Sequence, residues 1–284
     1  MTAPVTAADL VALYGLTPSP AFEPLPEHEG ALHEWFSAAS GASVEEVRAE
    51  VARRASEAEE DGRALHAGRP ELFDALPFAD RDRVLVLGDS LSAAAGGWVD
   101  ILTAALRAAG RRITVVNRAV SGRTTVETIG SLPAIAAQDP DWVLLMLGTN
   151  DVRRHGTTAD VRLSGPGEPL AVRRRLLRAL DAETRAQVVA ITPAPIDASA
   201  VARNRLSGVW WTEADLDELV AAVTEASPDA VDLHGVLRAR LAAHPDPGFW
   251  QQDGVHPTRA GQRLIAEIVL EGVARRTHRA PASR

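Results

Sequence analysis

Five short apolar runs, each ended by Gly or a polar turn residue, constrain this chain more than any other feature. They are VLVLG (84–88), ITVVN (113–117), WVLLMLG (142–148), VVAIT (188–192) and AVDLH (230–234). Runs that are apolar at almost every position, not alternating, suit strands buried on both faces, as parallel sheets require. Helix-period segments lie between them. Trp98, Ile101, Leu102, Ala105 and Leu106 mark one face of a helix, and similar patterns fall near 124–137, 169–182, 212–226 and 258–276. Strand-helix alternation of this kind predicts an α/β fold: a three-layer α/β/α sandwich around a parallel five-stranded sheet.

Residues 1–80 have a different texture. Thr6 to Tyr14 reads as a short helix, followed by the Pro-rich TPSPAFEPLPEHEG and a second helix carrying Leu32, Trp35 and Phe36. A third is announced by Ser43 and Glu46 in capping-box spacing, with Val44, Val47 and Val51 at helical period. Turn residues around 70–82 mark a boundary, so the expected organisation is an N-terminal helical extension (1–80) and a main domain (81–284).

Composition removes several function classes. The formal net charge is −8, all 30 basic side chains are Arg, and no dense basic stripe appears, so no nucleic-acid partner is expected. Without cysteine there is no thiolate nucleophile, disulfide or sulfur-based zinc site. No G-x-x-x-x-G-K-[ST] phosphate loop and no G-x-S-x-G elbow occur. His28, Glu29 and His33 miss the H-E-x-x-H zinc spacing by one residue. The N-terminus lacks the marks of a signal peptide and no run of about 18 apolar residues exists, so a cytoplasmic protein with no integral membrane segment is expected.

Ligands in open parallel sheets bind beyond the carboxyl ends of the strands. Four polar, Gly-punctuated loops meet that rim: Gly88-Asp89-Ser90, Asn117-Arg118-Ala119-Val120-Ser121-Gly122, Gly148-Thr149-Asn150-Asp151 and Asp253-Gly254-Val255-His256-Pro257. Each offers something acyl transfer needs. Ser90, between a strand and a helix start, suits an exposed nucleophile whose own N–H can meet an oxyanion. His256 can take the hydroxyl proton near neutral pH, and Asp253, three residues earlier, can orient its ring. The backbone N–H groups of Ser90 and Gly122 and the side-chain amide of Asn150 supply oxyanion donors. Asp89 and Asp151 read as loop-holding residues.

These four blocks, in this order and spacing, resemble the SGNH (GDSL-type) serine hydrolases over roughly residues 83–275. The resemblance implies a flavodoxin-like sandwich, no metal or other cofactor, and ester hydrolysis through an acyl-serine. It makes Ser90, Gly122, Asn150 and His256 the namesake residues, with Asp253 completing the triad. Ala119 stands where many members carry Gly.

The expected substrate is a small-molecule, lipid or sugar ester, with short acyl chains favoured. Acyl transfer to an alcohol, thioester cleavage and sugar O-acetyl removal would use the same site, and a silent binding module is the alternative of another class. Arg123, Val152, Ile196 and Trp250 are candidates for substrate contact. Trp210 and Trp211 suit a lid or a cover for the sheet edge. In the polar stretch 152–168, Arg153 and Arg154 could meet an anionic substrate group or be solvated surface.

Overall fold

The computed structural model describes residues 29–156, 160–203, 208–243 and 248–276. The helix expected at Thr6 to Tyr14, the Pro-rich connection after it and His28 lie outside the described residues. The first described helices are α1 (Glu29–Ser40), α2 (Val44–Gly68) and α3 (Pro70–Asp74). At the start of α2 the capping box forms: Glu46 N–H donates to Ser43 Oγ at 3.2 Å and Ser43 N–H to Glu46 Oε2 at 2.7 Å. Such a cap contributes about 1 kcal/mol.

Beyond them run β1 (Arg83–Gly88), α4 (Ser90–Ala93), α5 (Trp98–Ala108), β2 (Thr114–Asn117), α6 (Thr125–Gly130), α7 (Leu132–Ala136) and β3 (Trp142–Met146). The main sheet is completed by β6 (Gln187–Ala190), after two small strands, β4 (Arg154–His155) and β5 (Val161–Arg162), and helix α8 (Glu168–Glu183). Its order is β2-β1-β3-β6, all parallel.

Alternate residues of β1 and β3 feed two different cores. Val84, Val86, Leu144 and Met146 pack on one side with Leu102 and Leu106 of α5. Leu85, Leu87, Val143 and Leu145 pack on the other with Ile135 of α7 and Leu176 and Leu180 of α8. This two-sided burial is why the runs are apolar throughout. Burying a Leu or Val fully is worth roughly 1.5–3 kcal/mol, so these strands anchor the fold.

The five-stranded expectation needs correction. Residues 230–234 do not form a strand; Val231 makes a single parallel bridge to Ile191. Asp232 ends the pairing, because its Oδ1 accepts the Gly235 N–H at 2.8 Å while α11 (Leu233–Ala243) begins. The pattern at 124–137 divides into α6 and α7, with Pro133 near the start of α7. Helices α9 (Ala198–Arg203), α10 (Glu213–Ala226) and α12 (Arg259–Ala274) complete the chain, with β7 (Val209–Trp210) pairing to β4. Trp210 is buried there, in a cluster with Val152, Ile196, Leu216 and Val255.

Packing runs continuously across residue 80. Phe73 and Phe78 share the core of β1 and α5. Gly62 of α2 lies so close to α5 that a Cβ there would sit 2.5 Å from Ala104 Cβ. Asp61 of α2 is buried and accepts from Arg259 of α12 at 2.8 and 3.0 Å.

Candidate active site

The four loops meet at the carboxyl ends of β1 and β3. Gly88 closes β1 where any Cβ would lie 2.5 Å from Ser92 Oγ, so the turn into α4 requires glycine. Asp89 caps α4, its Oδ1 accepting the Leu91 N–H at 3.0 Å. Ser90 is thereby the first helical residue. Among the described residues its N–H has no acceptor, as expected of a first-turn donor. The Gly122 N–H has none either, and Gly122 adopts φ 79°, a left-handed conformation that suits glycine.

Asn150 sits in a tight turn closed by Asp151 N–H to Gly148 O at 2.8 Å. Its Nδ2 donates to the carbonyl of Arg123 at 3.2 Å. The same loop is held by Trp211, whose Nε1–H reaches Thr149 O at 2.8 Å, and by Thr125 N–H, which donates to Asp151 Oδ1 at 2.7 Å.

His256 and Asp253 occupy a loop ahead of α12. It is fixed by Gln251 N–H to His256 O at 2.8 Å and by Asp197 N–H to Gly254 O at 2.8 Å. His256 Nε2 lies 2.8 Å from Ser90 Oγ, and its Nδ1 lies 2.5 Å from Asp253 Oδ2. The second oxygen of Asp253 accepts the N–H groups of Val255 and His256, both at 2.9 Å.

Charge in the surroundings is uneven. Burial raises the Asp253 carboxyl, but its bonds to the His256 ring and to the two N–H groups outweigh that and hold it below the usual carboxylate range. Asp89 goes the other way: full burial pushes it up to about 6. Burial also raises Asp151. Beneath the Asn150 loop lies Arg173 of α8, fully buried and brought down to about 10 by desolvation. It donates to Leu147 O at 2.9 Å and Leu145 O at 3.4 Å. The sequence carries no signal for Arg173, one Arg of three in a row, or for Trp211's bond to Thr149. Neither has a pattern of its own.

The candidate substrate residues separate. Val152 is fully buried in the cluster that holds Ile196 and Trp210. The Arg123 side chain is buried too, and what Arg123 offers Asn150 is its carbonyl. Ile196 and Trp250 line a cavity of about 290 Å³ with Pro195, Leu216, His234 and Arg238. Arg154 is bound by Asp215 and Asp160, at 2.5 and 2.9 Å. Arg153 lies instead over Gly122 and Asn150. Among the described residues no group of three or more His, Asp or Glu is arranged to hold a metal ion.

Comparison with known proteins adds an independent line. Residues 86–264 match the GDSL-like lipase/acylhydrolase family. "Esterase TesA" of Pseudomonas aeruginosa is 30% identical over 192 residues, 66% of this chain and 85% of that protein. "Thioesterase 1/protease 1/lysophospholipase L1" of Escherichia coli strain K12 is 27% identical, over 66% of this chain and 82% of that protein. The solved structure of an acetyl xylan esterase, AlAXEase, shares the fold with a TM-score of 0.55 at 20% identity, covering 66% of this chain and 97% of that one.

Proposed function

The chain belongs to the GDSL-like lipase/acylhydrolase family, and from that premise we propose that it hydrolyses carboxylic esters through an acyl-serine at Ser90. The observation that carries this reading is the unbroken line Ser90 Oγ, His256 Nε2, His256 Nδ1, Asp253 Oδ2, with steps of 2.8 and 2.5 Å.

Ser90 Oγ attacks the acyl carbonyl carbon as its proton passes to His256 Nε2. Asp253 stabilises the imidazolium and keeps Nδ1 protonated, so that Nε2 is the acceptor in the resting enzyme. The carbonyl oxygen becomes an oxyanion, held by the N–H groups of Ser90 and Gly122 and by one Nδ2–H of Asn150. On collapse the alcohol leaves with the His256 proton. Water then gives a proton to His256 and attacks the acyl carbon, and Ser90 Oγ recovers the proton as the acid departs.

Short acyl groups are favoured in this reading because Val152, beside the site, is packed into a closed cluster with Trp210 and Val255 instead of lining an open trough. The 30%-identical relative is named an esterase, which agrees with ester cleavage.

The test is Ser90→Ala. The variant should keep its fold by circular dichroism, lose p-nitrophenyl acetate turnover and fail to label with a fluorophosphonate probe. Wild-type-like turnover in that variant would end the proposal. A wild-type enzyme that neither turns over nor labels would support the silent binding module instead.

A further inference from the structure

Resting on the esterase reading above, we propose that Arg153 is a specificity-determining residue that selects esters whose short acyl chain ends in a carboxylate. Three adjacent arginines show why it stands apart. Arg154 is neutralised by Asp215 and Asp160, and Arg162 by Glu218 at 2.6 Å and Asp215 at 3.3 Å. Arg153, half-buried, has no carboxylate within 4.0 Å among the described residues; its polar contacts are Gly122 O at 3.4 Å and Asn150 Oδ1 at 3.5 Å.

Both contacts are long for hydrogen bonds to a guanidinium, where about 2.7–2.9 Å is usual for a charged pair. Little binding energy is therefore committed to them. Its Nε is buried with no hydrogen-bond partner among the described residues. A half-buried cation with weak partners is costly to keep in a fold, and a bound anion would offset that cost.

Position supplies the chemistry. A Cβ built on Gly122 would have Arg153 Nη1 as its nearest neighbour, at 3.7 Å, so the guanidinium flanks two of the three proposed oxyanion donors. His256 must face the leaving oxygen. With the alcohol turned to His256, the acyl chain is the one we assign to the guanidinium beside the carbonyl-oxygen donors. One uncompensated positive charge matches one negative charge, and the planar guanidinium fork matches a carboxylate.

The experiment uses the full chain and two esters of equal acyl carbon number, p-nitrophenyl hemiglutarate and p-nitrophenyl valerate, with Ser90→Ala as the blank for spontaneous hydrolysis. In the wild type kcat/KM should favour the anionic ester by about tenfold or more, the scale of one charge-assisted contact. That preference should shrink as sodium chloride rises, since a half-exposed pair is screened. Arg153→Met should bring the ratio of the two esters near unity, and Arg153→Glu should push it below. The wild-type ratio and its salt dependence need no variant to fold.

Equal rates for the two esters in the wild type would overturn the assignment. So would an Arg153→Met enzyme in which both esters slow by the same factor, since that pattern means Arg153 only orients Asn150. In both cases Ser90 still labels with fluorophosphonate and valerate is still cleaved, so the esterase reading survives. Failure to cleave either ester, with no label at Ser90, overturns both.

Discussion

His256 Nε2 lies 2.8 Å from Ser90 Oγ, although 166 positions separate the two residues. The distance is set by elements that share no sequence signal. Gly88 and the Asp89 cap place Ser90 at the end of β1, whereas bonds from Gln251 and Asp197 fix the loop that carries His256. Two loops of independent origin in one hydrogen bond is what an acyl-transfer site requires and what a chance serine after a strand lacks.

Asp253→Asn tests how that bond is polarised. Asp253 Oδ1 already accepts two backbone N–H groups, so an Asn would keep its oxygen there and turn Nδ2 toward His256. The ring must then accept at Nδ1 and carry its proton on Nε2, facing Ser90. We expect kcat to fall by about 10³- to 10⁴-fold with little change in KM. Nitrogen-15 NMR of His256 should report the exchanged tautomer. A variant with normal tautomer and near-normal kcat would remove Asp253 from the mechanism.

Asp89 makes a separate prediction about pH. Burial raises its folded pKa to about 6, above the ordinary value of 3.8, so between those two values the folded chain binds more protons than the unfolded one. Stability from this group is present below pH 4 and is lost as pH rises through about 6. Asp89→Asn cannot titrate and keeps an oxygen to cap the Leu91 N–H. Its stability relative to wild type should climb by roughly 3 kcal/mol between pH 4 and pH 7.5 and be flat outside that window. Urea denaturation at several pH values measures it, and a difference that stays constant with pH would refute it.

The layered sheet is readable because its central strands β1 and β3 are buried on both faces, which writes an unbroken apolar run into the sequence. The same signal misled at 230–234, where AVDLH is apolar enough for a strand but Asp232 caps a helix after one bridging residue. Strands β4, β5 and β7 span two residues each, too few to carry a period of two. The candidate residues Ser90, Gly122, Asn150, Asp253 and His256 stand out in the sequence because each follows a strand or precedes a helix in a Gly-marked loop. Which of Arg153 and Arg154 lacks a carboxylate among the described residues is not legible, since that depends on Asp160, Asp215 and where the chain folds them.

The glycines of the candidate site should separate strain from function. Gly148 has φ 123°, and an added Cβ would lie 2.6 Å from Leu219 Cδ1. Leu219 is itself buried among Val152, Leu216 and Val223, so it has no room to yield. Gly148→Ala therefore combines backbone strain with overpacking, together about 2–6 kcal/mol. Gly122 has φ 79°, and the nearest atom to an added Cβ is Arg153 Nη1, 3.7 Å away. Alanine there meets strain alone, about 1–2 kcal/mol. Calorimetry should thus show a much larger loss of melting temperature for Gly148→Ala. Gly122→Ala should instead show its main effect in kcat, because tilting its N–H or displacing Arg153 disturbs the proposed oxyanion donors. Equal losses of melting temperature would mean that Leu219 adapts and that the turn at Gly148 is not held as tightly as its contacts indicate.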